Sequence, residues 1–175
     1  MSEIIRVASR PEEYEAFGAL ISAYVGWCRE RYSSVPWLVE RVFSHQALTK
    51  EIEDLSVAYG PPNGRTLLAL RDVEVCGGGA YRRLPDGSCE MKRLFVLDRF
   101  KGQGIGRRLC AALIEAARED GFELMRLDTG DLMTEAIALY TSFGFSPAEP
   151  HHDYPDEFKP YMVFMERSLR DDAHG

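Results

Sequence analysis

The sequence predicts an α/β domain with a mixed central sheet, antiparallel in its N-terminal part and flanked by helices. Two observations predict this class. Three strand-like runs in the middle of the chain are joined by short turns, which favours an antiparallel meander. A long amphipathic segment and another strand-like run then follow, as in a crossover between parallel strands. The 175 residues, 45% of them hydrophobic, are expected to form one domain over residues 1–175.

The N-terminal third predicts one strand followed by two helices. Residues 3–7 favour a strand. Ser9 and Glu12 have the spacing of a capping box, and apolar residues then recur every three or four positions, which predicts an amphipathic helix. A Ser-Ser-Val-Pro segment breaks it. A second helix is predicted over residues 37–55, and the glycines and prolines of residues 60–64 predict a loop.

Five strands and two helices are predicted after this loop. The strands cover residues 65–71, 75–84, 89–96, 123–128 and 160–169. The helices cover about residues 104–120 and 132–143, and each is followed by a glycine that can end it. The apolar stripe of the first helix consists of Ile105, Leu109, Leu113 and Ala117. Asp131 is the predicted N-cap of the second helix.

Composition argues against several classes of partner. The net charge of −7 makes general nucleic-acid binding a poor expectation, because a basic surface supplies most of that affinity. We expect no membrane partner, since no apolar run approaches 18 residues. The four cysteines form no CxxC pair, and the N-terminus has no apolar signal region. These features predict a cytoplasmic protein with reduced thiols.

A glycine-rich segment follows the third strand of the meander and opens the long helix. Residues 101–106 read Lys-Gly-Gln-Gly-Ile-Gly. Residues 92–108 carry six cations and one anion, although the chain as a whole is acidic. Free amides at a helix start favour anions, so this turn is a candidate phosphate cradle. It lacks the third glycine of a dinucleotide fingerprint, because Arg107 stands there, and it lacks the Gly-Lys-Ser/Thr of a P-loop.

The run Lys101-Gly102-Gln103-Gly104-Ile105-Gly106 resembles the acetyl-CoA-binding motif of the GNAT acetyltransferase superfamily. Lys101 stands where that motif has Gln or Arg. Residues 90–96, 138–145 and 161–166 resemble three further segments of the family, so the resemblance covers about residues 64–169. It implies a GNAT fold with parallel fourth and fifth strands around a CoA cleft. Acetyl-CoA is the implied cosubstrate.

The resemblance also implies a set of cofactor-binding residues. Pantetheine would pair with the backbone of the fourth strand, and the pyrophosphate would lie on the amides that open the long helix. The residues concerned are Leu94, Phe95, Val96, Lys101, Gly102, Gln103, Gly104, Ile105, Gly106 and Arg107.

Acyl transfer to an amine needs a proton acceptor and a proton donor. Glu90 is the candidate base, acting through water, and its alternative is a surface glutamate paired with Lys92. Strand alternation places Glu90, Lys92, Leu94 and Val96 on one face. Tyr140 is the candidate acid, because family members often have a tyrosine at this point of the second signature. Its alternative is a core residue on the apolar stripe of that helix.

The expected activity is transfer of an acetyl group from acetyl-CoA to a primary amine by direct attack on the thioester. The acceptor, a small molecule or a peptide, is left open, and so is a homodimer. The alternative is a non-catalytic acyl-CoA-binding sensor. No metal is expected, because adjacent His151 and His152 would face opposite ways with no third ligand near. Cys89 and Cys110 are expected to be core residues rather than acyl carriers.

Overall fold

The computed structural model describes residues 2–170 and has a seven-stranded sheet at its centre. The strands are β1 Glu3–Val7, β2 Gly64–Arg71, β3 Glu74–Arg83, β4 Cys89–Val96, β5 Leu124–Gly130, β6 Ser146–Pro147 and β7 Met162–Ser168. Their order in the sheet is β1-β2-β3-β4-β5-β7-β6. All neighbouring pairs are antiparallel except β4 and β5. The predicted mixed sheet is confirmed, with the short β6 added at one edge.

Helices cover both faces of this sheet. They are α1 Pro11–Arg31, α2 Pro36–His45, α3 Leu48–Glu53, α4 Leu55–Tyr59, α5 Ile105–Glu119 and α6 Thr134–Ser142, with short 3₁₀ turns at Asp98–Phe100 and Asp156–Tyr161. Alternation along β2 divides the core. Leu67 and Ala69 pack in the cluster that contains α5, whereas Leu68 and Leu70 pack in the cluster that contains α1. Among the described residues, no helix is long and apolar enough to cross a membrane.

Helix α5 forms as the sequence predicts. Its four stripe residues, one every fourth position, are all at most 1% exposed. Gly104 precedes it with a left-handed φ of 80°, and Gly121 follows it with a φ of 86°. Both angles suit glycine, which has no Cβ to clash there. Cys89 and Cys110 are fully buried in the same cluster, as expected for core residues.

Three predictions for helix starts and boundaries are wrong. Glu13, not Glu12, completes the first cap: its Oε2 accepts from the amides of Ser9 at 2.8 Å and Arg10 at 3.1 Å. The predicted helix over residues 37–55 is three helices, because Ala47 adopts a left-handed φ of 56° and the backbone leaves the helical conformation at residue 54. The third wrong prediction is Asp131 as the N-cap of α6. The N-cap is residue 133, and the Asp131 carboxylate instead accepts a hydrogen bond from Tyr32.

A bulge in β4 changes which side chains share a face. Across from β3, the register shifts between Gly78 and Ala80, and Arg93 adopts a left-handed φ of 60°. Lys92 pairs with Ala80 of the α1 cluster and Arg93 donates to Glu51 of α3, so both lie on the α1–α4 side, whereas Leu94 packs in the cluster of α5. The predicted alternation, with Leu94 on the face of Lys92, is therefore wrong.

The bulge coincides with a split between the two parallel strands. Pairing of β4 with β5 is limited to Cys89 with Met125 and Glu90 with Arg126. Beyond these residues the two strands diverge. The C-terminal half of β4 therefore presents one backbone edge without a neighbouring strand.

Candidate active site

A cavity of about 530 Å³ occupies the split between β4 and β5. From Lys92 to Val96 its wall follows β4 for about 13 Å, at roughly 3.3 Å per residue. Most of the residues predicted from the sequence line it: Leu94, Phe95, Val96, Lys101, Gly102, Gly104, Ile105, Gly106 and Tyr140. The other three predicted residues, Glu90, Gln103 and Arg107, do not line the cavity.

The glycine turn, residues 101–106, forms one end of the cavity. Gly102 and Gly104 have left-handed φ values of 77° and 80°, which aim the chain into α5. A Cβ at Gly102 would meet no atom within 4 Å, so this backbone is open to an approaching ligand. The first amides of α5 have no partner within the helix and carry its partial positive charge. Backbone geometry thus equips this end for an anion such as a diphosphate.

The basic side chains of this segment have partners of their own. Lys101 Nζ lies 2.6 Å from Asp98 Oδ1 and 4.4 Å from the centre of the Trp27 ring. Arg107 donates to the Ser142 hydroxyl at 3.1 Å. The cations at Lys92 and Arg93 lie at the bulge of β4, away from the glycine turn, so the positive sequence segment is divided between two parts of the cavity.

Tyr140 reaches the cavity from α6. Its side chain is 8% exposed and packs edge-on against Phe145, with ring centres 5.8 Å apart. Burial raises the pKa of its hydroxyl well above the ordinary value, and nearby Cys110 and Asp128 add to the effect. The phenol is protonated at neutral pH, as it would be at its ordinary pKa, and the raised pKa makes it a weaker acid.

Glu90 lies behind the cavity wall with no exposed surface. Arg82 donates to its Oε1 at 3.1 Å, and the Nε2 atoms of His151 and His152 lie 2.7 and 2.5 Å from its Oε2. Although burial opposes it, the Lys92 charge and the two imidazoles hold the pKa of Glu90 far below its ordinary value. The alternative of a surface glutamate is wrong, because this carboxylate is the centre of a buried cluster.

The two histidines also differ from their predicted arrangement. Both rings converge on one carboxylate oxygen, so they do not face opposite ways. With Glu90 they place three potential metal-ligand atoms within 4.8 Å of one another. The cations of Arg82 and Lys92 stand beside the same carboxylate, which disfavours a divalent cation there electrostatically.

The other end of the cavity, which we call the polar end, consists of Lys92, Asp128 and Gln46. The Tyr154 hydroxyl donates to Asp128 Oδ2 at 2.6 Å and accepts from Gln46 Nε2 at 2.8 Å. Lys92 and Asp128 lie two residues beyond the last paired positions of β4 and β5, at the first step of the split. Sequence reasoning missed Asp128 and Gln46. The signal available for Asp128 was its place at the end of a predicted strand.

Helices α1 and α2 provide the apolar wall next to the polar end. The wall residues are Tyr24, Trp27, Cys28, Leu38, Val39, Val42 and Phe43. A buried ion pair supports it, since Arg93 donates to the two Glu51 oxygens at 2.9 and 3.2 Å. The acidic residues of the loop before β7 do not reach the cavity. Asp156 pairs with Lys159, and Glu157 pairs with Arg41.

A model of the acetyltransferase (GNAT) family matches residues 27–145, more than half of the chain. The chain belongs to the GNAT acetyltransferase family. An uncharacterized N-acetyltransferase of Schizosaccharomyces pombe is 36% identical to this GNAT protein. The matched region covers 69% of this GNAT protein and 73% of the yeast protein.

Solved structures agree with this membership. A Klebsiella pneumoniae structure described as an acyl-CoA N-acyltransferase superposes with a TM-score of 0.71, at 29% identity over 95% and 97% of the two chains. A Salmonella typhimurium acetyltransferase, solved with acetyl-CoA, has a TM-score of 0.64 at 19% identity over 99% and 98% of the chains. The second likeness concerns the fold alone.

Proposed function

We propose that this GNAT protein transfers an acetyl group from acetyl-CoA to a primary amine by direct attack on the thioester. One observation carries the proposal: the split between β4 and β5 brings the glycine turn, a free strand edge and Tyr140 to a single cavity. The reaction needs an anion cradle, an extended edge for pantetheine and a proton donor. The cavity has a candidate for each.

Acetyl-CoA fits the residues at the glycine end. Its pyrophosphate would accept hydrogen bonds from the amides of residues 103–107, helped by the dipole of α5. Its pantetheine would pair with the backbone of Leu94 and Val96, on the edge that β5 leaves free. An amide of the same edge would stabilise the oxyanion that forms at the thioester carbonyl.

The two proton movements involve different residues. Tyr140 would protonate the departing CoA thiolate, since its hydroxyl is protonated and the residue lines the cavity. The acceptor ammonium must first lose a proton. Asp128 is the carboxylate of the polar end that lines the cavity, and we assign that proton to it. The sequence-based assignment of the base to Glu90, acting through water, stays a prediction.

Thiol release from acetyl-CoA by the purified protein, measured across a panel of primary amines, tests the proposal. We expect release that depends on the amine and falls at least about tenfold, or 1.4 kcal/mol of barrier, in Asp128→Asn. Glu90→Gln is the matched variant, and a larger loss there than in Asp128→Asn would return the base to Glu90. Binding of acetyl-CoA without release by any amine would favour the acyl-CoA sensor instead.

A further inference from the structure

Four cationic side chains line the cavity, and three of them are held by a carboxylate. The four are Arg31, Lys92, Arg93 and Lys101. Arg31 donates to both oxygens of Glu135 at 3.1 Å, and Lys101 lies 2.6 Å from Asp98. Arg93 has the buried pair described above. Lys92 is the exception.

The Lys92 ammonium lacks a hydrogen bond within residues 2–170. Its side chain is only 3% exposed, and the carboxylate oxygen within 4.0 Å is Glu90 Oε1, at 4.0 Å. That distance is beyond hydrogen-bond range. Glu90 already accepts from Arg82 and faces both imidazoles. Lys92 lines the cavity, so the three donors of its ammonium can meet a ligand that enters there.

We propose that Lys92 forms a carboxylate-binding subsite, and that the acceptor is an amine that also carries a carboxylate, as an amino acid does. The inference rests on the proposed function. Asp128 stands opposite Lys92 across the split, so one residue can meet each charge of an amino acid. Burial, followed by the charge of Arg93, lowers the pKa of Lys92, and the carboxylates of Glu90 and Asp128 oppose this. A bound carboxylate favours the charged ammonium further.

The neighbouring wall indicates the rest of the acceptor. Leu38, Val39, Val42 and Phe43 present apolar surface to the cavity next to Gln46. An apolar side chain on the acceptor would bury surface there at about 25 cal/mol per Å². Aromatic and branched amino acids therefore match this end better than polyamines or sugars do.

Binding of 3-phenylpropanoate, a carboxylate that has no amine, tests the subsite without turnover. By calorimetry we expect the wild type to bind it and Lys92→Met to bind it at least about tenfold more weakly, which is 1.4 kcal/mol. Arg31→Met, which removes a cavity cation that already has a partner, is the control and should keep the affinity within about threefold. Equal binding by wild type and Lys92→Met, or no binding by the wild type, would overturn the proposal.

Kinetics with a matched pair of acceptors add an independent test. L-phenylalanine and phenethylamine differ only in the carboxylate. We expect the wild type to have a higher kcat/KM for L-phenylalanine than for phenethylamine. In Lys92→Met the ratio of these two values should fall at least about tenfold, because the KM for L-phenylalanine rises. An equal fall of kcat for both acceptors would overturn the proposal, because Lys92 would then act on the proton of the amine. If no acceptor supported thiol release, the proposed function would be contradicted, while the binding experiment would still decide the subsite.

Discussion

The two ends of the cavity are built in different ways. The glycine end consists of consecutive residues, 101–106, and its chemistry lies in the backbone: left-handed glycines and the open amides of α5. The polar end consists of side chains from β4, β5 and the end of α2, held by Tyr154 from a loop. A site made of backbone can be recognised from a short motif. A site made of converging side chains depends on the whole fold.

The wall next to the polar end should depend strongly on its buried ion pair. Arg93→Met removes the hydrogen-bonded partner of the buried Glu51 carboxylate and leaves Arg82 Nη1 at 3.9 Å, and we expect it to lower the free energy of unfolding by about 3 kcal/mol. Chemical denaturation measures this. Arg41→Met, which breaks an exposed pair with Glu157, is the control and should cost at most about 1 kcal/mol. If Arg93→Met lowered the free energy of unfolding as little as the control does, the buried pair would not be needed for stability.

Tyr140 tests whether the two ends serve one reaction. Tyr140→Phe keeps the ring and its contact with Phe145 but removes the proton donor, so we expect kcat to fall about 100-fold or more. The KM for acetyl-CoA should change little. Tyr161→Phe removes another hydroxyl of the cavity wall. It is the matched control, and its kcat should stay near the wild-type value. Equal kcat values for the two variants would leave Tyr140 as a core residue.

Gly104 tests the backbone character of the glycine end. A Cβ there meets a left-handed φ of 80° and Arg108 Nη1 at 2.8 Å, so Gly104→Ala should cost about 1–2 kcal/mol of stability. It should also weaken acetyl-CoA binding, measured by calorimetry, by at least about tenfold. Gly87→Ala imposes a similar strain, at φ 87°, in an open turn away from the cavity. Weaker binding in Gly87→Ala as well would show a general loss of stability instead.

The smallest effect is expected from metal chelation. The Glu90 carboxylate already has Arg82 and both imidazoles as partners, and Lys92 adds a second cation. We therefore expect a chelator to leave the melting temperature and the acetyltransferase activity unchanged. Activity that a chelator abolishes and Zn²⁺ restores would assign a metal to Glu90, His151 and His152.

Local signals explain which features the sequence predicts. The stripe of α5 and the glycine turn depend on neighbouring residues, and both form as predicted. The bulge in β4 has no such local signal. Arg93 adopts a left-handed φ, which its residue type disfavours, and tertiary contacts with Glu51 and Gln46 accompany it. Asp128 and Tyr154 are 26 residues apart, so no spacing rule brings them together.

The fate of the acetyl group shows whether one cavity serves both the cosubstrate and the acceptor. Acetyl-CoA with a labelled acetyl group is mixed with excess wild-type protein and an amine for a single turnover. We expect the label to appear as an amide of the acceptor and never on the protein. Label on the protein, for example on Cys28 in the cavity wall, or CoA release with no labelled acceptor, would contradict direct transfer.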